Sequence, residues 1–335
     1  MSNPRVNVIG AGAWGSALAM VARRAGNDVL IQAHEAEVAA AINGEHENPV
    51  YLPGIAFDPA IRATESLAEA AAADVLLLVT PAQFLRAACA GLRDHLAAGT
   101  PVVVCAKGIE GETGALMSEV LAESLPQALP AVLSGPTFAA EVARELPTAV
   151  TLSCADAETG TRLAETLVTP RFRIYRSTDV IGAEVGGAVK NVLAIACGIV
   201  EGRRLGDNAR AALITRGIAE IARLSTAVGG KPETLMGLSG IGDLTLTCNA
   251  MQSRNFSLGH ALGEGEDLAA VLASRVTVAE GVHTASAVMA LSARLGVEMP
   301  ICAAVDAILN AVADIDRAVA GLLARPMRAE DTMGR

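Results

Sequence analysis

The stretch Glu184–Cys197, EVGGAVKNVLAIAC, carries a single cation, Lys190, in a run rich in Gly, Ala and Val, with Asn191 directly after it. Burying an ammonium costs several kcal/mol unless it is paired or loses its proton. Apolar surroundings lower a lysine's pKa toward neutrality, which suits a group that gives and takes a proton during a reaction. The alternative is a lysine whose stem lies on the helix while its head reaches solvent. Gly186 and Ala194 stand one turn to either side, so a ligand is expected to approach that face. A second unusual segment places glycines at 237, 240 and 242 around a lone acid, Asp243, which is expected to pair with Lys190 and orient it. Ser253, Arg254 and Asn255 then offer a hydroxyl, a fork of donors and an amide in succession. That set suits a phosphate, with a solvated helical loop as the alternative.

Phosphate chemistry of another kind is written near the N-terminus. The apolar run Val6–Ile9 leads into Gly10-Ala11-Gly12-Ala13-Trp14-Gly15 and then a helical stretch to Arg24. Strand, G-x-G-x-x-G and helix in that order form a dinucleotide signature. Gly10 permits the tight turn, Gly12 lets the backbone approach a pyrophosphate, and Gly15 lets the helix pack on the strand. The amides at the helix start then face the anion. The next strand, Asp28–Ala33, ends in Gln32, Ala33 and His34, with Glu35 only afterwards. No acid ends that strand to repel a 2′-phosphate, and His34 either helps to accommodate one or is an exposed loop residue.

These residues need a scaffold, and the apolar pattern supplies one. Asn43–Phe57 is rich in turn formers and reads as a loop, after which Ile61–Thr64, Asp74–Thr80 and Pro101–Ala106 read as buried parallel strands. Lys107 follows the last of them, at the carboxyl end where ligands bind such sheets. Ala131–Ser134 leads through Gly135-Pro136-Thr137-Phe138 into a helix at Ala139–Glu145, with Thr137 expected as its cap. Thr148–Ser153 and Phe172–Tyr175 complete the strands, and from Glu184 onward the periodicity is helical. Helices are expected at Asn208–Val228, Asp267–Ser274, Thr284–Leu295, Pro300–Ala313 and Ile315–Ala324. The fold class is therefore α/β: an N-terminal Rossmann-type domain with a mostly parallel sheet (1–180), then an all-α C-terminal domain (181–335).

Composition narrows the function. A net charge of −10 excludes broad binding to nucleic acid or acidic membranes, since either needs a basic footprint. The six cysteines are widely spaced without a CxxC and read as reduced core residues. The five histidines form no metal-ligand pattern, so no metal is expected. MSNPRVNVIG lacks an apolar secretory core and no run of 18 apolar residues occurs, so a cytoplasmic protein without stable membrane insertion is expected.

From about residue 5 to 325 the chain resembles bacterial NAD(P)-dependent glycerol-3-phosphate dehydrogenases. The resemblance is carried by GAGAWGSALA (10–19), NPVYLPGI (48–55), AKGIE (106–110) and LSGPTFAAEVA (133–143). It continues through GAEVGGAVKNVLAIACGI (182–199), GLSGIGDLTLTC (237–248), SRNFSLG (253–259) and AEGVHTA (279–285). It implies hydride transfer, with NADP or NAD, between a nicotinamide and C2 of dihydroxyacetone phosphate or sn-glycerol 3-phosphate, supplying glycerol 3-phosphate for glycerophospholipid synthesis. By motif position it implies Lys190 as the proton acceptor in alcohol oxidation and donor in ketone reduction. Lys107, Gly135, Thr137, Asp243, Ser253, Arg254 and Asn255 match its substrate positions. Its cofactor positions fall on Ala13, Trp14, His34, Lys107, Ala139, Arg254, Val278 and Glu280. A homodimer with a small phosphorylated substrate is also implied. Ala13 departs from a common Ser and Gln32 from a common Trp. The competing readings are a 6-phosphogluconate or β-hydroxyacid dehydrogenase, disfavoured by Asp243 and the Ser-Arg-Asn segment, and a dinucleotide-binding sensor without catalysis, which would not need Lys190.

Overall fold

The computed structural model describes residues 3–275 and 279–326. Two compact units result, one of Met1–Ala106 with Met117–Val180, the other of Lys107–Leu116 with Ile181–Arg335. The chain thus leaves the first unit at Lys107 and returns at Met117, a transfer that the apolar pattern did not disclose.

In the first unit the strands are β1 (Arg5–Ile9), β2 (Asp28–Gln32), β3 (Glu47–Asn48), β4 (Leu52–Ala56) and β5 (Arg62–Thr64), followed by β6 (Val75–Leu78), β7 (Pro101–Val104), β8 (Leu129–Ser134), β9 (Thr148–Ser153) and β10 (Phe172–Ser177). Eight of them form one sheet in the order β10-β9-β8-β7-β6-β1-β2-β5. Its pairs are parallel except β8 with β9, which run antiparallel. Leu76, Leu77 and Leu78 are all fully buried, as continuous apolar strands covered on both faces must be. From β1 the chain order runs outward in both directions, so the carboxyl ends of β1 and β6 mark the switch point where doubly wound sheets bind ligands. The reading of 43–57 as a loop is corrected. It contains the antiparallel hairpin β3–β4, whose first strand is only 2 polar residues and whose second carries Pro53 and Gly54, so no period of two shows.

The second unit is built around the helix Val180–Gly202, hereafter the core helix, in which every residue from 182 to 200 is buried. It is long and apolar enough to cross a membrane, but 89% of its most apolar window is buried inside the protein. Around it lie the helices Asp207–Ala227, Arg254–Gly263, Leu268–Ala273, Glu280–Leu295, Pro300–Leu309 and Ile315–Leu323. All six cysteines are free and buried, and burial pushes the Cys89 thiol up to about 12.

The glycines of the core helix have a packing reason. A Cβ on Gly198 would stand 2.0 Å from the Phe256 carbonyl oxygen, and one on Gly259 would stand 2.0 Å from that of Ile195. Gly202 and Gly263, one turn further along each helix, make the same kind of approach. The two helices therefore meet backbone to backbone. Gly259→Ala is expected to lower stability by about 1–3 kcal/mol through overpacking. A urea transition whose midpoint does not move would refute that packing account. Gly186 follows the same rule, which corrects the expectation of ligand access: its Cβ would meet the Ser239 carbonyl oxygen at 2.5 Å, so the space beside it is filled by protein.

Candidate active site

Lys190 projects from the core helix with its side chain only 8% exposed. Its Nζ donates to Asp243 Oδ1 at 2.6 Å and to Thr247 Oγ1 at 2.8 Å. Lys107 Nζ donates to the other carboxylate oxygen, Asp243 Oδ2, at 2.7 Å. One buried carboxylate thus bridges two ammonium groups. The elements explain the aim. A π-helical turn, Leu238–Gly242, feeds a short helix, Asp243–Thr247, whose ends share a face at a spacing of four. At Gly240 a Cβ would meet the Leu235 carbonyl oxygen at 2.1 Å, so the turn closes only with glycine there.

Burial lowers the pKa of Lys190 from 10.5 to about 8. Asp243 opposes that shift, while Lys107 adds to it. For Asp243 burial acts upward, but the two ammonium groups outweigh it and hold the carboxyl below its ordinary value. The result is a permanently ionised acid next to a lysine for which both protonation states are accessible near neutrality. That combination is what a reversible proton donor needs.

Lys107 is held from behind by two buried amides. Asn191 Nδ2 donates to the Lys107 carbonyl at 3.0 Å, and Asn255 Nδ2 donates to Asn191 Oδ1 at 3.0 Å. Asn255 Oδ1 accepts from Gly281 N at 3.0 Å, which ties the start of the helix Glu280–Leu295 into the chain. Gly281 must be bare there, since its Cβ would lie 2.7 Å from Asn255 Oδ1.

In the first unit, Gly10 turns at φ +103, where a Cβ would press on the Val79 carbonyl carbon at 3.2 Å. A Cβ on Gly15 would fall 1.8 Å from the Gly10 oxygen, whereas one on Gly12 would meet nothing within 4 Å. The helix Ala13–Arg24 starts at Gly12 with no side-chain cap and no acid in its first turn. Trp14 Nε1 is buried without a protein partner. Open backbone, an uncapped helix start and an orphaned donor fit a pyrophosphate. Gln32 is turned into the protein, donating to the carbonyls of Ala33 at 2.9 Å and Glu65 at 3.3 Å, and Glu35 accepts from Tyr51 Oη at 2.9 Å.

Comparison with known proteins gives these groups a context. Two family models match the chain, the N-terminus of NAD-dependent glycerol-3-phosphate dehydrogenase over residues 5–160 and its C-terminus over residues 179–320. The chain belongs to this dehydrogenase family. The glycerol-3-phosphate dehydrogenase [NAD(P)+] of Parvibaculum lavamentivorans is 58% identical over 326 residues, covering 97% of this chain and 98% of its own. That of Caulobacter vibrioides is 58% identical over 330 residues, covering 98% of this chain and 100% of its own. The crystal structure of glycerol-3-phosphate dehydrogenase from Coxiella burnetii superposes with a TM-score of 0.93 at 40% identity, covering 96% of this chain and 99% of that one.

The dehydrogenase motifs read from the sequence are distributed as follows. Lys107, Lys190 and Asp243 come together in one cluster, and Asn255 reaches it through Asn191. Ser253 is the N-cap of the helix Arg254–Gly263, its Oγ accepting from Phe256 N at 3.2 Å, and Arg254 is the exposed first residue of that helix. Glu280 opens the helix Glu280–Leu295, and Val278 lies outside the described residues. In the first unit Ala139 opens the short helix Ala139–Ala143, which packs on Ala13–Arg24, while His34 is exposed just past β2. Gly135 turns at φ +145 beyond the carboxyl end of β8. Thr137 does not cap the following helix: Phe138 occupies the cap position, and Thr137 Oγ1 donates to the Gly135 carbonyl at 3.3 Å. Sequence reasoning missed Thr247, whose signal is its spacing of four from Asp243, and it gave Asn191 no role. It also missed Phe84, an aromatic 58% exposed just beyond β6.

Proposed function

We propose that this enzyme interconverts dihydroxyacetone phosphate and sn-glycerol 3-phosphate with NADPH or NADH, and so supplies glycerol 3-phosphate for glycerophospholipid synthesis. The observation that carries the mechanism is the buried Lys190–Asp243–Lys107 cluster with its lowered lysine pKa. The first unit would hold the dinucleotide, with the pyrophosphate on Gly12, Ala13 and Trp14 at the helix start. Ala139 and His34 lie on the same unit, and Phe84 offers an exposed ring for stacking. The nicotinamide, when bound, supplies hydride to the ketone carbon or removes it from the alcohol.

In reduction, Lys190 gives the proton from Nζ to the oxygen on which negative charge develops. In oxidation, the neutral amine takes it back. Asp243 stays ionised, orients Nζ together with Thr247, and keeps Lys107 in place. Lys107 supplies a second positive charge to the substrate. Arg254, exposed at a helix start, suits the phosphate, since its guanidinium fork matches phosphate oxygens and the helix start favours an anion. Ser253 supports that helix start. Asn255 keeps spare bonding capacity for substrate but serves first as the peg behind Lys107. Gly135 and Thr137 are assigned to the substrate, Val278, Glu280 and Arg254 to the cofactor, on motif position. A cytoplasmic homodimer belongs to the same reading.

The test is the absorbance of NADPH or NADH mixed with dihydroxyacetone phosphate and purified protein. Oxidation of either cofactor that depends on the phosphorylated ketone is expected. Turnover of dihydroxyacetone equal to that of its phosphate would remove Arg254 from the phosphate.

A pH dependence follows from Lys190. Reduction requires its protonated form, so kcat/KM for dihydroxyacetone phosphate should be level below about pH 7 and fall as pH rises through about 8. Oxidation requires the amine, so its kcat/KM should climb through the same window and level off above it. Profiles in both directions check this, and a limb near 10.5 would show that burial does not tune the lysine.

A further inference from the structure

The segment Asn48-Pro49-Val50-Tyr51-Leu52-Pro53-Gly54 has no part in the chemistry above, yet its first residue is among the most deeply buried polar groups of the first unit. Asn48 is 0% exposed. Its Nδ2 donates to the Ala11 carbonyl at 2.7 Å and to Ser16 Oγ at 2.9 Å, and its Oδ1 accepts from Tyr51 N at 3.1 Å. Ala11 lies inside the glycine turn, and Ser16 lies on the first turn of the helix Ala13–Arg24. One side chain therefore joins the hairpin β3–β4 to both halves of the dinucleotide motif.

The carbonyl of Ala11 and the N–H of Gly12 belong to one planar trans peptide, so they point in opposite directions. Drawing the Ala11 oxygen inward onto Asn48 turns the Gly12 N–H outward. The backbone at Gly12 is itself accessible, since an added Cβ there would touch nothing within 4 Å. We propose that Asn48 is a positioning residue for the cofactor: it sets the Ala11–Gly12 peptide plane so that the Gly12 N–H donates to the pyrophosphate. The hairpin is held at two other points that do not touch the turn. Tyr51 Oη donates to Glu35 at 2.9 Å, and Gly54 N donates to Glu47 Oε1 at 2.7 Å. Glu47 therefore offers a control that loosens the hairpin while leaving the peptide plane alone.

The inference rests on the dinucleotide reading of this unit, and the experiment keeps the two apart. NADPH binding is measured by calorimetry for the unaltered protein, Asn48→Ala and Glu47→Ala, with thermal melting of each without ligand. Loss of one charge-assisted hydrogen bond predicts a Kd about 10- to 100-fold higher for Asn48→Ala. Turnover at saturating cofactor and the KM for dihydroxyacetone phosphate should stay within about threefold. Glu47→Ala should bind NADPH as the unaltered protein does. If Asn48→Ala does not fold, Asn48→Ser, which keeps a hydroxyl in the same space, is judged by the same split. A Kd within threefold in the folded Asn48 variant, or an equal loss in Glu47→Ala, would overturn the proposal. If the unaltered protein binds neither NADPH nor NADH, it is the dinucleotide reading that fails.

Discussion

Lys190→Met is expected to fold, to bind NADPH as the unaltered protein does, and to lose turnover by about 10²–10⁴-fold, the usual worth of a positioned proton donor. Met keeps the length and apolar stem of the lysine, so the core helix loses neither volume nor packing. The remaining ion pair is intact, because Lys107 Nζ stays 2.7 Å from Asp243 and the carboxylate is not stranded. The dinucleotide turn belongs to the other unit, and the hydrogen bonds of Lys190 go to Asp243 and Thr247. Calorimetry with NADPH and kcat in the reducing direction separate the two effects. Retained turnover would pass the proton to Lys107, the second ammonium on the same carboxylate. Weakened NADPH binding with unchanged kcat would contradict the assignment in a different way, by making Lys190 a binding group.

How far the molecule was legible beforehand depends on what each residue interacts with. The strands of the sheet are continuous apolar runs because both faces are covered, and such runs show without any partner being known. The glycine turn was legible for a similar reason, since its conformational demands are local. Asn48 was not, because its function is set by Ala11 and Ser16, 37 and 32 residues away. The same applies to segment 107–116, whose Lys107 carbonyl is captured by Asn191 on the core helix. Gly186 was misread as ligand access, because a missing side chain looks the same whether a ligand or another backbone fills the space. Lys190 itself was legible as an anomaly, and Asp243 was inferred as its partner. Thr247 was missed although its spacing of four from Asp243 puts both on one face, because the helix Asp243–Thr247 is only 5 residues long, too short for a periodic pattern to stand out.

Asp243→Asn is expected to be the more damaging of the two changes to the cluster. The amide keeps shape and volume, but its oxygen can accept from one ammonium only, and its Nδ2 hydrogens then face the other. Buried Lys190 and partly buried Lys107 lose their shared counterion, and removing one partner of a buried pair costs about 3–5 kcal/mol. Lys190 can relieve part of that cost by giving up its proton. Lys190 already titrates near 8, well below its unfolded value of 10.5, and Asp243 is what opposes its further descent. Without the carboxylate its pKa falls again. A base whose folded pKa is depressed costs stability while it is charged, and that cost fades as pH rises from the folded pKa toward the unfolded one. The deficit of the variant should therefore be largest near pH 6 and smaller at pH 9, as read from urea denaturation at both. Its activity should move the same way: the falling limb of ketone reduction shifts to lower pH, and at pH 7 less of the enzyme carries the proton it must donate. Equal stability deficits at pH 6 and 9, with the limb still near 8, would mean that Asp243 does not set the protonation of Lys190.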